Sequence, residues 1–600
     1  MRDLFKLNRY FKKYKGTVIL GTLFLTFANC FLVGIPILVR KSINDVQDLV
    51  QQHSTASYQN IINVLFHDPV GAQLAIIAGS LLGAALVYGI LLFATRQTLI
   101  VTSRRIEYDI RNEIFDHLQK LPQSFYTKWN SGDVYVRATE DVMRVRDYFG
   151  PGFMYTINTF TRAGIIITIM MIVNARLALW ALLPLPFLAT AAYWVSGYIN
   201  EESRLIQEQY SRIAGRAQEA FSSIRLIKAY VREDYEQVQF DKESEDYRQR
   251  KVKLGAIESI FFPMLNFLIG ISVILVIWKG GEMIMGGTLT VGNIAEFVIY
   301  VAYLTWPVAS LGYTLNLLQR SAASQKRIEE LMSQPVEIED SDDTDESITE
   351  IKGDIEFQNV SFKYPDSENY ALRNINLKIK AGQNVAFVGR TGAGKTSLIQ
   401  LIPRLYEPQE GIIKIDGIPI NKIPLSTLRQ FVGFVPQETF LFSDTIRENI
   451  AFGVEEADDD EIYNAAKKAQ VLENILDFEK KFETILGERG ITMSGGQKQR
   501  TTIARALIKN PSILIFDDSL SAVDTKTEDA ILRHLKTEMK GKTTIMISHR
   551  ISTISHADII YVMKDQKIVE SGTHESLLDK DGHYADMYKK QLIEQELAEI

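Results

Sequence analysis

A helical membrane half joined to a soluble α/β half is the fold class this sequence predicts. Three observations predict it: long uncharged runs confined to roughly the first half of the chain, an abrupt acidic stretch at Glu337–Glu350, and beyond Ile351 a succession of β-like and helical segments. At 600 residues the chain is too long for one core and should divide into at least two domains.

Six segments have the roughly 20 predominantly apolar residues needed to cross a bilayer. They run 16–39, 74–94, 154–174, 177–197, 258–278 and 294–316. The second carries no charge from Leu74 to Thr95. Buried helices of a large soluble protein are the competing reading, and several apolar runs of this length argue against it. Charges inside such segments are functional candidates by default. Arg162 and Glu258 are candidates for a substrate cavity facing the cytoplasm, and Glu296 for an outer vestibule; headgroup contact or pairing across helices is the alternative for each. The lone cysteine, Cys30, reads as buried packing in an apolar run.

Basic residues set the orientation. The N-terminal flank and the connector 95–153 are rich in Lys and Arg, whereas 41–73 has only Lys41. The N-terminus and the connectors 95–153 and 198–257 are therefore expected in the cytoplasm, with the short link Asn174–Ala175–Arg176 and the link 280–293 outside. Residues 1–15, basic and amphipathic, suit a short helix on the membrane surface. Within the connectors, 100–123 and 201–251 alternate charged and apolar positions at helical spacing, so the membrane helices should continue as a stalk. Each connector has a stretch that can turn back, near Asn130–Gly132 and at 221–230, and such turns can touch a soluble domain. The resulting expectation is a surface helix at 1–15, a membrane domain at 16–330, an acidic linker at 331–350 and a soluble domain at 351–600. The net charge of −7 gives no overall basic footprint for nucleic acid, and one cysteine gives no zinc-type spacing.

In the second half, the strand candidate GQNVAFVG runs directly into GRTGAGKTSLIQLI. Gly389 to Thr396 is G-x-x-x-x-G-K-[ST] in the strand–loop–helix context of a P-loop. Gly389, Gly392 and Gly394 let the backbone curl around phosphate at a helix N-terminus, with Arg390, Thr391, Ala393 and Ser397 completing the ATP cradle. Lys395 is placed to reach the β- and γ-phosphates, and the Thr396 hydroxyl to coordinate Mg²⁺. A second strand, SILIFDD, delivers Asp517 to the same edge of a parallel sheet as the Mg²⁺-side acid. A third, TTIMIS, ends at His549, whose imidazole is a candidate to sense or contact the γ-phosphate, with ordinary surface placement the alternative. Between the motifs, Ser494–Gly495–Gly496 opens a helix at Gln497 and makes another anion cradle, or else a plain helix cap. One ATP needs only one P-loop, so a second cradle suggests two copies facing head to tail.

Together these residues resemble the ATP-binding cassette exporter family over nearly the whole chain, and the soluble domain is identified as its P-loop NTPase. The resemblance implies an all-α six-helix exporter domain followed by the nucleotide-binding domain. It makes Gly389–Thr396 the Walker A loop, Ile513–Asp517 Walker B, Tyr364 the aromatic that stacks on adenine, and Gln437 the glutamine that contacts Mg²⁺ and the coupling regions. Gly487–Gly490 resembles the loop that touches the membrane domain, and Met493–Gln497 the signature sequence, with Met where Leu is usual. Ser521–Asp524 resembles the D-loop, with Asp524 at the nucleotide interface, and His549 the switch histidine. The turns near 130–134 and 221–230 correspond to the coupling helices.

One position departs from the family: Asp518 stands where glutamate usually serves as the general base. Its shorter carboxylate implies a slowed site, and the sequence looks closest to the catalytically degenerate subunit of bacterial heterodimeric multidrug exporters. The resemblance therefore implies ATP-driven export of hydrophobic or amphipathic compounds from a bacterial inner membrane, with a second half-transporter as partner. That partner is a different subunit in preference to a second copy, and membrane lipids surround the pair. A flippase for a specific lipid, glycolipid or lipopeptide shares the same motor and is the leading alternative.

Overall fold

A computed structural model of the chain describes residues 2–52, 69–365, 367–487, 490–519 and 539–599. The chain forms two units, one comprising 1–116 and 132–333, the other 117–131 and 334–600.

The first unit is helical. Its principal helices are α1 (Lys15–Gln52), α2 (Pro69–Thr95), α3 (Val101–Lys120), α4 (Phe153–Leu182), α5 (Leu185–Ser222), α6 (Glu233–Met285) and α7 (Val291–Met332). Among the described residues, five helical stretches are long and apolar enough to cross a membrane: 15–48, 75–120, 131–182, 233–285 and 291–332. The expected link at Asn174 is a real break. Asn174 has non-helical backbone (φ −163°, ψ 103°), and its Oδ1 accepts from Leu177 N at 2.9 Å, so the amide restarts the helix by capping it. The expected fourth crossing, 177–197, is interrupted at Leu183–Pro184, because Pro184 and Pro186 lack the N–H that a helix interior requires. Its apolar residues are shared between the end of α4 and the start of α5.

Phe297, Tyr300, Val301 and Leu304 recur at i, i+3, i+4 and i+7 on α7, all essentially inaccessible, and pack against Val33, Ile166, Met170, Leu177 and Val276. The Tyr300 hydroxyl inside this core donates to Val33 O at 3.1 Å, which satisfies a group that would otherwise be costly to bury. Along α2, Leu82, Leu86, Ile90 and Phe93 are exposed, an apolar outer stripe suited to lipid.

Two expectations are corrected here. Glu296 does not face a vestibule: it is wholly inaccessible, and its Oε2 accepts from Arg40 Nη1 at 2.9 Å. A buried carboxylate persists only with a partner, and α1 supplies one. Cys30, read as packing, is exposed on α1; on a membrane helix an exposed thiol still meets an apolar surrounding. The N-terminal segment also spends its apolar face on the chain itself. Leu4, Leu7 and Tyr10 are buried, and the Phe11 ring packs on Tyr148, Phe149 and Phe153. Lys13 bonds Asp109, and Arg9 bonds Glu113.

Both connectors turn back, the second at the expected 221–230 and the first with its short helix ahead of the expected 130–134, where the next long helix already begins. Short helices at Gln123–Lys128 and Ile224–Ala229 interrupt the long ones. Residues 117–131 belong with the second unit, where Pro122 and Ser124 share a cleft with Phe362, Pro365, Leu405, Tyr406 and Pro408. The other turn leaves Phe221, Leu226, Tyr230 and Val231 exposed.

The second unit is α/β. Strands β1 (Ile355–Phe362), β2 (Leu372–Ile379), β4 (Glu410–Ile415) and β5 (Ile418–Pro419) form an antiparallel sheet in the order β2-β1-β4-β5. Strands β3 (Asn384–Gly389), β6 (Val432–Val435), β7 (Ile513–Asp517), β8 (Thr543–Ile547), β9 (Ile559–Lys564) and β10 (Lys567–Gly572) form a second in the order β10-β9-β3-β8-β7-β6. The latter is parallel from β9 through β6. Its central strands are buried along their length, which is why SILIF and TTIMI read as unbroken apolar or β-branched runs.

The Arg40–Glu296 pair yields a stability prediction. Arg40→Ala leaves a buried charge alone and should cost about 3–5 kcal/mol, whereas Arg40→Met with Glu296→Met should recover most of it. Denaturation of the detergent-solubilised protein measures the order of the three proteins.

Candidate functional site

Parallel strands bring their carboxyl ends to one edge, and this order places β8 between β3 and β7. Gly389, Ile547–His549 and Asp517–Asp518 therefore meet there, although far apart in sequence. After β3 the chain turns through 390–394, with Ala393 N donating to Arg390 O at 3.1 Å, and helix α8 (Lys395–Leu401) begins. Gly394 has φ +99°, and a Cβ on it would lie 2.4 Å from Ala371 O. Only glycine satisfies both constraints.

The edge encloses a cavity of about 280 Å³ lined by Thr391, Gly392, Gly394, Lys395, Thr396, Ser397, Gln437, Asp517, Asp518 and His549, among others. Lys395 is buried, and its Nζ donates to Gly389 O at 2.7 Å and Arg390 O at 3.1 Å. Burial lowers the Lys395 ammonium from its ordinary pKa, with Asp518 and Asp517 opposing. Thr396 Oγ1 donates to Asp517 Oδ1 at 3.1 Å. Burial raises the Asp517 carboxyl, and the Thr396 hydrogen bond opposes that shift. A hydroxyl and a carboxylate side by side are hard oxygen donors that suit Mg²⁺. Asp518 follows in left-handed backbone (φ 45°), which aspartate tolerates better than most residues, and its N–H donates to Ile547 O at 2.9 Å. Gln437 and His549 are exposed at the rim.

Tyr364 lines the cavity edge-on against Phe362 and Tyr406. Its hydroxyl lies 3.0 Å from Ser397 Oγ and donates to Gln400 Oε1 at 3.3 Å, and burial raises its pKa. The ring is thus anchored to the helix that follows the phosphate loop.

Ser494, Gly495, Gly496 and Gln497 are not among the residues lining this cavity. They open helix α9 (Gly495–Leu507), where Ser494 Oγ accepts from Gln497 N at 3.3 Å and Gln497 Oε1 accepts from Ser494 N at 2.9 Å. This reciprocal cap is the plain structural reading of the motif, and it leaves the glycine N–H groups at the helix start. Met493 is buried in the neighbouring core, and its exchange for leucine is close to volume-conserving. Asp524, with the rest of 521–524, lies outside the described residues, as do the central two residues of 487–490.

In the membrane unit, Arg162 on α4 is half-buried, with its guanidinium carbon 5.0 Å from the centre of the Tyr303 ring. Glu258 is exposed on α6.

Three residues near the nucleotide cavity were missed by sequence reasoning. Tyr370 and Gln566 line it. Gln566 and Asp565 both have positive φ and make the two-residue turn between β9 and β10. That turn is legible in MKDQKI, but its place at the cavity follows only from β9 lying beside β3. Gln591, on the C-terminal helix, donates to His549 O and accepts from Ile551 N at 2.9 Å, holding the backbone around the histidine. No sequence pattern signals it.

Comparison with known proteins agrees with both units. The family model described as ABC transporter transmembrane region matches residues 18–308, and that described as ABC transporter matches 372–521. A probable multidrug resistance ABC transporter ATP-binding/permease protein of Bacillus subtilis, YheI, is 37% identical over 487 residues, covering 81% of this chain and 83% of the relative. The multidrug resistance-like ATP-binding protein MdlA of Escherichia coli is 35% identical over 530 residues, covering 88% and 89%. A solved bacterial Atm1-family ABC exporter with ATP bound matches at a TM-score of 0.76 and 25% identity, over 96% of this chain and 99% of that one. With a family-wide match across both a helical membrane unit and a P-loop ATPase unit, the chain belongs to the ABC exporters, as a half-transporter of the multidrug-resistance-like family.

Proposed function

We propose that this chain is one half of a dimeric bacterial inner-membrane pump that uses ATP to move hydrophobic or amphipathic, drug-like compounds out of the cytoplasm or inner leaflet by alternating access. The observation that carries the reading is the meeting of Lys395, Thr396 and Asp517 in one glycine-looped cavity, on a chain whose other unit holds five long apolar helices. The basic N-terminal flank and basic connectors support a cytoplasmic motor. Names such as multidrug resistance protein among its relatives support drug-like cargo.

Tyr364 and the loop 389–397 bind ATP, and Lys395 exchanges its two carbonyl partners for the β- and γ-phosphates. Thr396, Asp517 and Gln437 would hold Mg²⁺, in part through water, and the ion would supply positive charge to those phosphates. Ser494–Gln497 of one cassette caps the nucleotide held by the other, and Asp524 completes that interface. Gln437 and the 487–490 loop pass closure to the stalk turns, and residues 117–131 already pack with the motor unit. Hydrolysis then reopens the clamp. Asp518 orients the attacking water and His549 steadies the γ-phosphate, mainly by positioning.

Asp518 has one methylene fewer than the glutamate usual in the family. A catalytic group displaced by about 1 Å can cost of order 10²-fold, so this site is slow. Its complete Ser494–Gln497 cradle then serves a competent site on a different partner subunit. A lipid, glycolipid or lipopeptide flippase is the second reading; the exposed apolar face of α2 is compatible with lipid access.

Purification with and without the candidate neighbouring subunit, measuring oligomeric state and ATP turnover together, tests the assembly. Activity should appear on pairing, and robust turnover by this chain alone would overturn the heterodimer. Asp518→Glu should raise phosphate release at this site, by up to about 10²-fold; unchanged turnover would show that side-chain length is not limiting. His549→Ala should lower single-turnover hydrolysis by about 10²-fold while leaving ATP retention largely intact.

A further inference from the structure

Arg40 on α1 and Arg162 on α4 meet opposite conditions. Arg40 is neutralised by Glu296. Arg162 has no carboxylate partner among the described residues, and its Nε is buried without a hydrogen-bond partner. Of the acidic residues expected in membrane segments, Glu296 is committed to Arg40, and Glu258 is exposed on α6. Twelve residues separate Arg162 from the Asn174 turn, about 18 Å of helix, which is deep within a hydrocarbon layer about 30 Å thick. An arginine at that depth is expensive and is retained where it faces a cavity or a ligand.

Its surroundings show which face it occupies. On the Asn174 side, Ile166 and Met170 are sealed in the core with Phe297, Tyr300 and Val301. On the other side, α4 and α7 meet through polar and aromatic pairs: Thr159 Oγ1 lies 3.2 Å from Ser310 Oγ, and the Tyr155 and Tyr313 rings meet edge-on at 6.1 Å. Next to it, Asn29 Nδ2 donates to Thr161 Oγ1 at 2.8 Å. Arg162 thus marks the level at which a dry apolar core gives way to a polar seam. Tyr303 holds the guanidinium through its ring face. Its hydroxyl is also a donor.

We propose that Arg162, held over the Tyr303 ring, is an anion-binding subsite, and that the preferred cargo is an amphiphile with an acidic head, a carboxylate or phosphate on an apolar body. The guanidinium supplies a planar fork of donors matched to such a head, while the apolar core above it receives no charge. This inference rests on the export reading and narrows its substrate class.

The test uses the full-length exporter, with its partner when one co-purifies, in phosphatidylcholine vesicles. Two fluorescent probes share a dansyl-alkyl body, one ending in carboxylate and the other in trimethylammonium. Wild type should half-saturate with the carboxylate at a concentration about 10-fold lower or better, the span of one charge-assisted hydrogen-bonded pair. Arg162→Met should erase that preference, and Arg162→Lys should keep part of it. The ratio between probes in one preparation is insensitive to partial loss of folded protein. Adding labelled phosphatidylglycerol to the vesicles separates the sources: Arg162-dependent flipping of that lipid assigns the acidic head to the leaflet, and its absence alongside carboxylate transport assigns it to soluble amphiphiles. Equal handling of both probes, or a preference surviving Arg162→Met, overturns the subsite and leaves the pump reading standing. No ATP-dependent movement of either probe overturns the acidic-amphiphile cargo, and whether the same vesicles still hydrolyse ATP decides separately whether the pump reading stands.

Discussion

Lys395 is an ammonium buried among the carbonyls of its own loop, and the chemistry of the chain depends on that group changing partners. Burial makes its charge costly, and two backbone oxygens offset the cost only in part. A triphosphate offers better acceptors at the same place. Binding energy is therefore available at the edge of the sheet where β3, β8 and β7 end. The same edge holds Asp517 beside Thr396, a carboxylate whose burial also disfavours its charge. Two opposite charges, each strained by desolvation and separated by a cavity, suit a ligand that carries phosphate and a divalent cation together.

The membrane unit handles charge by the same rule with two outcomes. Where α1 and α7 pack, Glu296 meets Arg40 and the pair is structural. Where α4 and α7 pack, Arg162 lies over the Tyr303 ring and has no ion-pair partner among the described residues. A buried charge with its counter-charge specifies packing, and one without it leaves unused capacity to bind. On the proposed subsite, that difference separates the residue that holds helices together from the one that would meet cargo.

Local signals carried much of this into the sequence. Gly389 to Thr396 follows a strand and opens a helix, and the parallel edge that delivers Asp517 reads directly in SILIFD. Asn174 announced its turn because a capping amide acts within three residues. Pro184 and Pro186 were visible as well, yet the apolar run around them masked the helix break they impose. What stayed illegible depends on packing between distant segments. Glu296 and Arg40 lie 256 residues apart, and hydropathy cannot say that they meet. Likewise, nothing local ties 117–131 to the ATPase unit, Gln591 to the backbone around His549, or the apolar face of residues 4–11 to Phe149.

The proposed clamp requires the Ser494 cradle of one chain to close on the phosphate loop of another. In a Cys30→Ser background, cysteines at Ser494 and at the loop position Arg390 report that approach by disulfide formation between the two chains of the assembled exporter. ATP should raise the cross-linked yield severalfold, and removal of nucleotide should return it to baseline. A yield indifferent to ATP, with nucleotide binding intact, would contradict a site built from two chains.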